Sequence, residues 1–468
     1  MANRRRRRKT RFACLFFPAW TIEYLMSVNP RILSILAATA LFAIAISLRI
    51  GAINATEVQN PIRADAADYY TYAVNLKKHG TYSRAAISDA KPVPDAVRSP
   101  GYPVFLTMFV EDPPTRFMLW KIVAAQALLD SLTVLLALAI FRRFLPEGIA
   151  LGAGLLTALS PHLVSASTYL LTETLFLFLT TLSIWLLIKL FIDKNRVIAV
   201  AAGAIIAAAA LTRPTLQFFI VPAAGMLYFV FARGDRLRLI TPLVVGFVLV
   251  LSPWVIRNFG PVGNPDDPIL STLSLQHGMY PDFRYQDLPE STGIPYRYDP
   301  RSDEITESKG TVLREIGRRF SEEPARHLEW YLVKKPLTLL SWNMIAGAGG
   351  IFIYPVNSSP YLSQPAYINT YIVMKALHWP LVILALFATV MIWMPVAKGL
   401  PANTLFATRL LSLLMLYFLS LHVIVAPYPR YGIPLRPAIY GLALFQCWWI
   451  FTWLKNLLRA PPAAKNLA

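Results

Sequence analysis

Charge is what this sequence has least of. Only 15% of its 468 residues are Asp, Glu, Lys or Arg, against roughly a quarter in soluble domains. A chain of this length with so little polar surface cannot cover a water-soluble globule, which excludes a soluble enzyme as its main body. Cysteine is nearly absent as well. Cys14 and Cys447 stand at opposite ends of the chain, so neither a disulfide framework nor a thiolate metal cluster can be written from them. Acidic residues are scarcer than basic ones, 26 against 45, for a net charge of +19. In a soluble chain that imbalance would suggest nucleic acid, but no aromatic-interleaved basic domain accompanies it. Internal repeats are also missing, which leaves an inverted-repeat transporter without support.

What is abundant is apolar sequence, 56% of the residues, in blocks approaching or exceeding the roughly 20 residues that cross a bilayer. Ten such blocks predict an all-α polytopic membrane protein: 31–50, 118–141, 149–167, 170–192, 197–212, 215–232, 239–256, 370–396, 404–426 and 433–456. The basic run Arg4 to Arg8 with Lys9 and Arg11 precedes the first block, and such a run holds an N-terminus in the cytoplasm. A cleaved signal peptide fits less well, because that block is long and lacks a small-residue cleavage site. With the N-terminus inside, the inner helix ends carry Arg142, Arg143, Lys194, Arg196, Arg233, Arg236, Arg238, Lys398, Lys455 and Arg459. Positive-inside bias therefore predicts ten spans with both termini cytoplasmic, in the inner (plasma) membrane. An eleventh apolar stretch, 336–356, would send the basic C-terminus outside. Gly347, Gly349 and Gly350 also argue against a plain helix there, so it reads as re-entrant or interfacial. The expected organisation is a cytoplasmic segment 1–30, a membrane domain 31–456 and a tail 457–468. Two outer regions, 54–117 and 257–369, have enough residues to fold.

Outer region one reads as helical over 68–76, with a stop at His79-Gly80; outer region two turns helical around 311–333. Asp65 and Asp68, three apart at a helix start, share one face, although an Asp there also serves as a helix cap. Glu173 sits a few residues into an apolar block, where an ionisable group needs a partner or a watery cavity. Arg98, Arg213, Arg257 and Arg430 lie at outer helix ends or in the outer loop, against the positive-inside trend. Each alone could snorkel to headgroups. Together they suit a phosphate-bearing lipid, since guanidinium binds phosphate in a bidentate fork. Tyr280, Tyr285, Tyr296 and Tyr298 could stack on sugar rings or pack at the interface.

In order, the chain carries Asp-x-x-x-Tyr (Asp65, Tyr69), Arg-Ser-Pro-Gly-Tyr-Pro (Arg98 to Pro103), and Tyr-x-x-x-Glu (Tyr169, Glu173). Thr-Arg-Pro (Thr212 to Pro214), Pro-Trp-x-x-Arg-Asn (Pro253 to Asn258) and Arg-Tyr-x-x-Pro (Arg430 to Pro434) follow. This series resembles the bacterial protein mannosyltransferase and aminoarabinose transferase branch of the GT-C superfamily, the glycosyltransferase family 39-like members. The resemblance implies Asp65 as the catalytic acid position, with Tyr69 four residues on. Many members have Asp-Glu where this chain has Asp65-Ala66, so Asp68 would supply the second carboxylate. It implies Glu173 as the second acidic position and Arg257 and Arg430 near the lipid phosphate. Arg98 and Arg213 would join them, with Tyr69, Tyr102, Asn258 and Tyr431 around the substrate.

The chemistry implied is single, inverting displacement on a polyprenyl-phosphate sugar. Asp65 would be the general base, and the arginines would stabilise the leaving phosphate. A bridging divalent metal ion is allowed but not required. The acceptor would be a membrane lipid, an envelope glycan or a protein; nucleic acid is not expected. A lipid or sugar transporter or flippase, and a glycan polymerase or ligase, are the alternative readings.

Overall fold

A computed structural model describes residues 29–259, 268–345 and 347–458. The basic N-terminal run, Cys14 and Arg459 lie outside the described residues. Seven helices are long and apolar enough to cross a bilayer, and three shorter apolar helices accompany them. Each of the ten blocks read from the sequence overlaps one of these helices.

Helix α1 (Pro30–Ala55) leads to a two-residue strand, β1 (Glu57–Val58). The region 54–117 then holds α2 (Asp65–His79) and the short α3 (Gly101–Thr107). Helix α2 stops where expected, because Gly80 adopts the left-handed conformation at φ 63°, which costs a glycine little. The membrane bundle continues with α4 (Arg116–Phe141), α5 (Glu147–Leu159), α6 (Pro161–Ala166), α7 (Glu173–Asp193) and α8 (Arg196–Thr212). Helices α9 (Ile220–Val230) and α10 (Arg233–Phe259) follow. The block 149–167, expected as one span, is divided at Ser160, which is extended before Pro161. Proline disfavours a helical residue before it, so α6 starts afresh.

The region 257–369 contains α11 (Pro268–Met279) and α12 (Lys309–Glu322). The helix expected over 311–333 is interrupted at Glu323, before Pro324, and continues with a wide turn at Trp330–Lys334. The stretch 336–356 is no spanning helix. A short helix, Lys335–Leu339, gives way to irregular chain with Gly349 and Gly350 at positive φ. Its Trp342, Met344, Ile351, Ile353 and Tyr354 are buried. Strand β2 (Val356–Ser358) then pairs antiparallel with β1. Helices α13 (Pro365–Met391), α14 (Ala402–Ile424) and α15 (Arg436–Leu457) complete the bundle.

Two features fix how these helices meet. Gly203 of α8 and Gly246 of α10 lie backbone to backbone: a methyl group on Gly203 would stand 1.8 Å from the Leu243 carbonyl oxygen, and one on Gly246 2.1 Å from that of Val200. Small residues at a helix crossing allow this approach. The second is a buried ion pair, Arg49 Nε to Asp130 Oδ2 at 2.7 Å. Arg49 Nη1 also donates to the Ala158 carbonyl at 2.7 Å, so one side chain ties α1, α4 and α5 together.

Candidate active site

The site is built where α2 begins. Ala64, before the helix, has φ 46° and ψ −125° and makes no side-chain cap bond, an uncommon conformation for a residue with a Cβ. Asp65 is the first helical residue and Asp68 lies in the same turn, so both carboxylates face one way. Neither oxygen of Asp65 is engaged as a cap. Arg98 Nη2 donates to Asp65 Oδ1 at 2.8 Å, and Arg430 Nη2 donates to Oδ2 at 2.7 Å. Arg98 also reaches Asp68 Oδ2 through Nε at 2.9 Å and Nη2 at 2.7 Å. Arg98 thus bridges the two acids, and Arg430 arrives from the α14–α15 connection.

These groups are neither sealed nor free: the Asp65, Arg98 and Arg430 side chains are 19%, 22% and 26% exposed. Burial alone would raise the Asp65 pKa, but the Arg430 and Arg98 charges outweigh it and hold the carboxyl at about 2. For Arg98, burial works against the charge, and Asp65, Tyr69 and Asp68 reverse that and raise its pKa. Burial, followed by the Asp65 charge, pushes the Tyr69 hydroxyl up.

A second pair lies beside the first. Glu173, the first residue of α7 and 2% exposed, accepts from Arg213 Nη1 at 3.0 Å. This is the partner that a carboxylate in an apolar block requires. Glu173 Oε2 has no protein partner among the described residues. The Tyr431 ring connects the pairs, with the Arg213 guanidinium 4.6 Å and the Arg430 guanidinium 5.3 Å from its centroid. Asp68, Arg98, Asp65, Arg430, Tyr431, Arg213 and Glu173 therefore form one continuous chain of contacts. Tyr69 lies alongside, its ring 5.7 Å from the Arg98 guanidinium.

Three of the expected residues have other surroundings. Tyr102 is fully buried, donates to Gln126 Oε1 at 2.7 Å, and meets the Tyr69 ring edge-on at 5.3 Å. It supports Tyr69 from behind and offers no surface to a substrate. Arg257 donates to the Asp95 and Tyr82 carbonyls, each at 2.9 Å, and to Asn258 Oδ1 at 2.9 Å. The Tyr82 hydroxyl in turn donates to the Arg98 carbonyl at 2.9 Å. Arg257 and Asn258 therefore buttress the loop that presents Arg98, and their hydrogen bonds run to that loop and to each other. Tyr280 is also committed: it is buried, bonded to Asp299 at 2.7 Å and covered by Arg319. Tyr296 stacks on His277 at 4.0 Å, while Tyr298 stays 39% exposed.

Tyr354 was not foreseen. Its ring lies 5.6 Å from the Arg63 guanidinium and edge-on to Tyr169 at 5.7 Å. Burial raises its pKa first, and the Asp65 charge next, so its hydroxyl is within electrostatic reach of the carboxylate. No periodic pattern marks it, because it follows a Gly-rich irregular stretch. The pairing of Arg49 with Asp130 did have a signal, a carboxylate in the middle of an apolar block.

The donor set does not suit a divalent ion. Both Asp65 oxygens already accept from guanidinium groups, whose positive charges would repel a metal at the same carboxylate. Among the described residues no three His, Cys, Asp or Glu side chains are grouped as metal ligands.

A model of the family described as dolichyl-phosphate-mannose-protein mannosyltransferase matches residues 115–256, from the start of α4 into the last turn of α10. No curated protein matches the chain. Among solved structures, it is similar to the oligosaccharyltransferase AglB from Archaeoglobus fulgidus in complex with an inhibitory peptide and a dolichol-phosphate. The TM-score is 0.51 at 12% identity, covering 93% of this chain and 52% of that one. An A. fulgidus oligosaccharyltransferase tethered to an acceptor peptide by a disulfide bond gives a TM-score of 0.50 at 14% identity, with coverage of 93% and 51%. The chain thus spans about half the length of these structures, and identities this low speak to fold alone. In fold, the chain is similar to these membrane oligosaccharyltransferases, and over residues 115–256 its sequence is similar to the mannosyltransferase family.

Proposed function

We propose that the protein transfers a sugar from a polyprenyl-phosphate carrier to a lipid, glycan or protein acceptor at the outer face of the plasma membrane. The observation that carries this reading is Asp65 held between Arg98 and Arg430 in a half-buried, aromatic-walled site. The dolichol-phosphate bound by AglB supports a polyprenyl-phosphate carrier for this fold.

In the reaction, an acceptor hydroxyl or amine attacks the anomeric carbon and its proton passes to Asp65. The carbon–oxygen bond to the phosphate breaks, and that electron pair stays on the phosphate oxygen. A single displacement of this kind inverts the anomeric centre. The leaving group needs charge stabilisation more than a proton, which guanidinium groups supply.

The same arginines explain how Asp65 becomes a base. Bound by both, its carboxylate is a poor proton acceptor, with a pKa of about 2. An arriving phosphate competes for the guanidinium groups, and each one that turns to it stops favouring the ionised carboxylate. Asp65 then gains basicity only when donor is present. Arg98 keeps its anchor through its two bonds to Asp68, so Arg430 is the group that moves. Glu173 holds Arg213 against Tyr431 and fixes the far wall.

The test compares wild type with Asp65→Asn in the native envelope, following polyprenyl-phosphate sugars and envelope glycans by mass spectrometry. The expected outcome at normal protein level is accumulation of one lipid-linked sugar and loss of one residue from one glycan. Accumulation of a lipid-linked oligosaccharide would instead mark a polymerase or ligase. If both pools stay unchanged in a well-folded variant, the reading fails and a transporter becomes the better account.

A further inference from the structure

Within the bundle, four side chains from four separate segments meet without a carboxylate among them. His162 lies in α6, Trp342 in the irregular stretch after Leu339, His378 in α13, and Arg436 opens α15. All are buried, at 1%, 5%, 3% and 2% exposure. His162 Nε2 lies 2.7 Å from the Trp342 carbonyl oxygen, and its ring meets the Trp342 ring edge-on at 4.4 Å. Arg436 Nη1 lies 2.7 Å from His378 Nδ1, and Nη2 donates to the Ser341 carbonyl at 3.1 Å. The Trp342 ring is 5.4 Å from that of His378 and 6.0 Å from the Arg436 guanidinium. Among the described residues no carboxylate pairs with Arg436.

Each of these side chains also has one buried polar atom without a protein partner: His162 Nδ1, Trp342 Nε1, His378 Nε2 and Arg436 Nε. Their chemistry follows from the bonds already made. A guanidinium only donates, so His378 Nδ1 accepts and the neutral ring carries its proton on Nε2. A carbonyl only accepts, so His162 Nε2 carries its proton, leaving Nδ1 as an acceptor. The cluster therefore presents three N–H donors, one acceptor and a full positive charge without a counter-charge. A water could donate to His162 Nδ1 while accepting from the N–H groups, but it would leave the guanidinium uncompensated in an apolar surrounding, which is costly. A small anion accepts from every donor and supplies the missing charge.

We propose that Trp342, His378 and Arg436, backed by His162, enclose a binding site for one small inorganic anion of the halide class, chloride in the cell. The near-complete burial of all four side chains fits a monatomic ion rather than a phosphate headgroup. Bound there, the anion ties the stretch 341–354 to α13 and α15. That stretch ends in Tyr354, whose hydroxyl feels the Asp65 charge, and is also held by Ser165 Oγ donating to the Ile351 carbonyl at 3.2 Å. The site is structural, and it does not depend on which reaction the enzyme performs.

Thermal unfolding of the purified full chain, in chloride titrated against gluconate at fixed ionic strength, tests this. A ligand that binds only the folded state raises Tm in a saturable way, here by about 2 °C or more, and bromide should act alike. Trp342→Phe keeps the ring but loses one donor, and should raise the half-saturating concentration about tenfold. Arg436→Gln should abolish the response. Anomalous scattering from bromide should place one ion among these four side chains. Should Arg436→Gln fail to fold, Trp342→Phe and the bromide site decide the matter. A flat response, an equal response in Trp342→Phe, or bromide absent from this cluster would overturn the proposal. So would stabilisation by phosphate or phospholipid alone.

Discussion

Asp65 is set apart from an ordinary helix-initial carboxylate by its partners: guanidinium groups from two distant segments rather than the N–H groups of its own helix. Its pKa of about 2 lies below the ordinary 3.8, so the stability it lends is fully present above pH 3.8 and is lost as pH falls towards 2. Free enzyme should therefore show no acid limb in kcat/KM from this group down to about pH 4. Arg430→Gln removes the largest of the charges that favour the ionised form. Its pH–rate profile should gain an acid limb shifted towards the ordinary carboxylate range, with kcat lower by about a hundredfold; an unshifted profile would mean that Arg430 does not govern Asp65. Most of this constellation was legible in the sequence, because Glu173, Arg98, Arg213 and Arg430 are anomalous charges among apolar or outward-facing positions. Tyr102, Arg257 and Asn258 are engaged by other protein groups. A short motif gives an address along the chain but not the direction in which a side chain points, and these three point into packing.

Elements were legible where periodicity or a backbone requirement marks them. The ten apolar blocks and the Gly80 stop of α2 fall in that class. The break at Ser160 and the irregular path of 341–355 depend on neighbours that no local pattern reveals. The α8–α10 crossing is another such case: Gly203 and Gly246 look like ordinary small residues in apolar helices, and only the fold brings each against the other helix's carbonyls. A side chain at Gly203 meets backbone rather than a movable side-chain tip, so the helices must separate. Gly203→Val should lower stability by about 1–3 kcal/mol or more through overpacking, seen as a fall in Tm in detergent. Gly225 of α9 has nothing within 4 Å of the same added carbon, so Gly225→Ala should leave Tm unchanged or slightly raised. Equal behaviour of the two variants would mean that the crossing does not set the packing.

At the scale of the whole molecule, the regions 54–117 and 257–369 meet at the residues that carry the site. The Ala426 amide donates to the Ser274 carbonyl of α11 at 3.0 Å, and the Tyr428 hydroxyl donates to the Gly293 carbonyl at 3.2 Å. Two residues on, Arg430 holds Asp65 of the region 54–117. Asp65, Glu173, Arg213 and Arg430 all lie at one set of helix ends, and Arg142, Arg196, Arg233 and Lys398 belong to the opposite ends. Fixing the side of one region therefore fixes the side of the site. In a chain with Cys14→Ser and Cys447→Ser, a single cysteine placed by Tyr298→Cys or Lys398→Cys reports on each end, since both positions are exposed. A membrane-impermeant thiol reagent added to intact cells should label position 298 and spare 398 until the membrane is opened. The reverse pattern would put Asp65 in the cytoplasm, where its donor would have to be used before crossing the membrane. The outer-face assignment would then fall, while the geometry of Asp65 between its two arginines would still call for a phosphate-bearing donor.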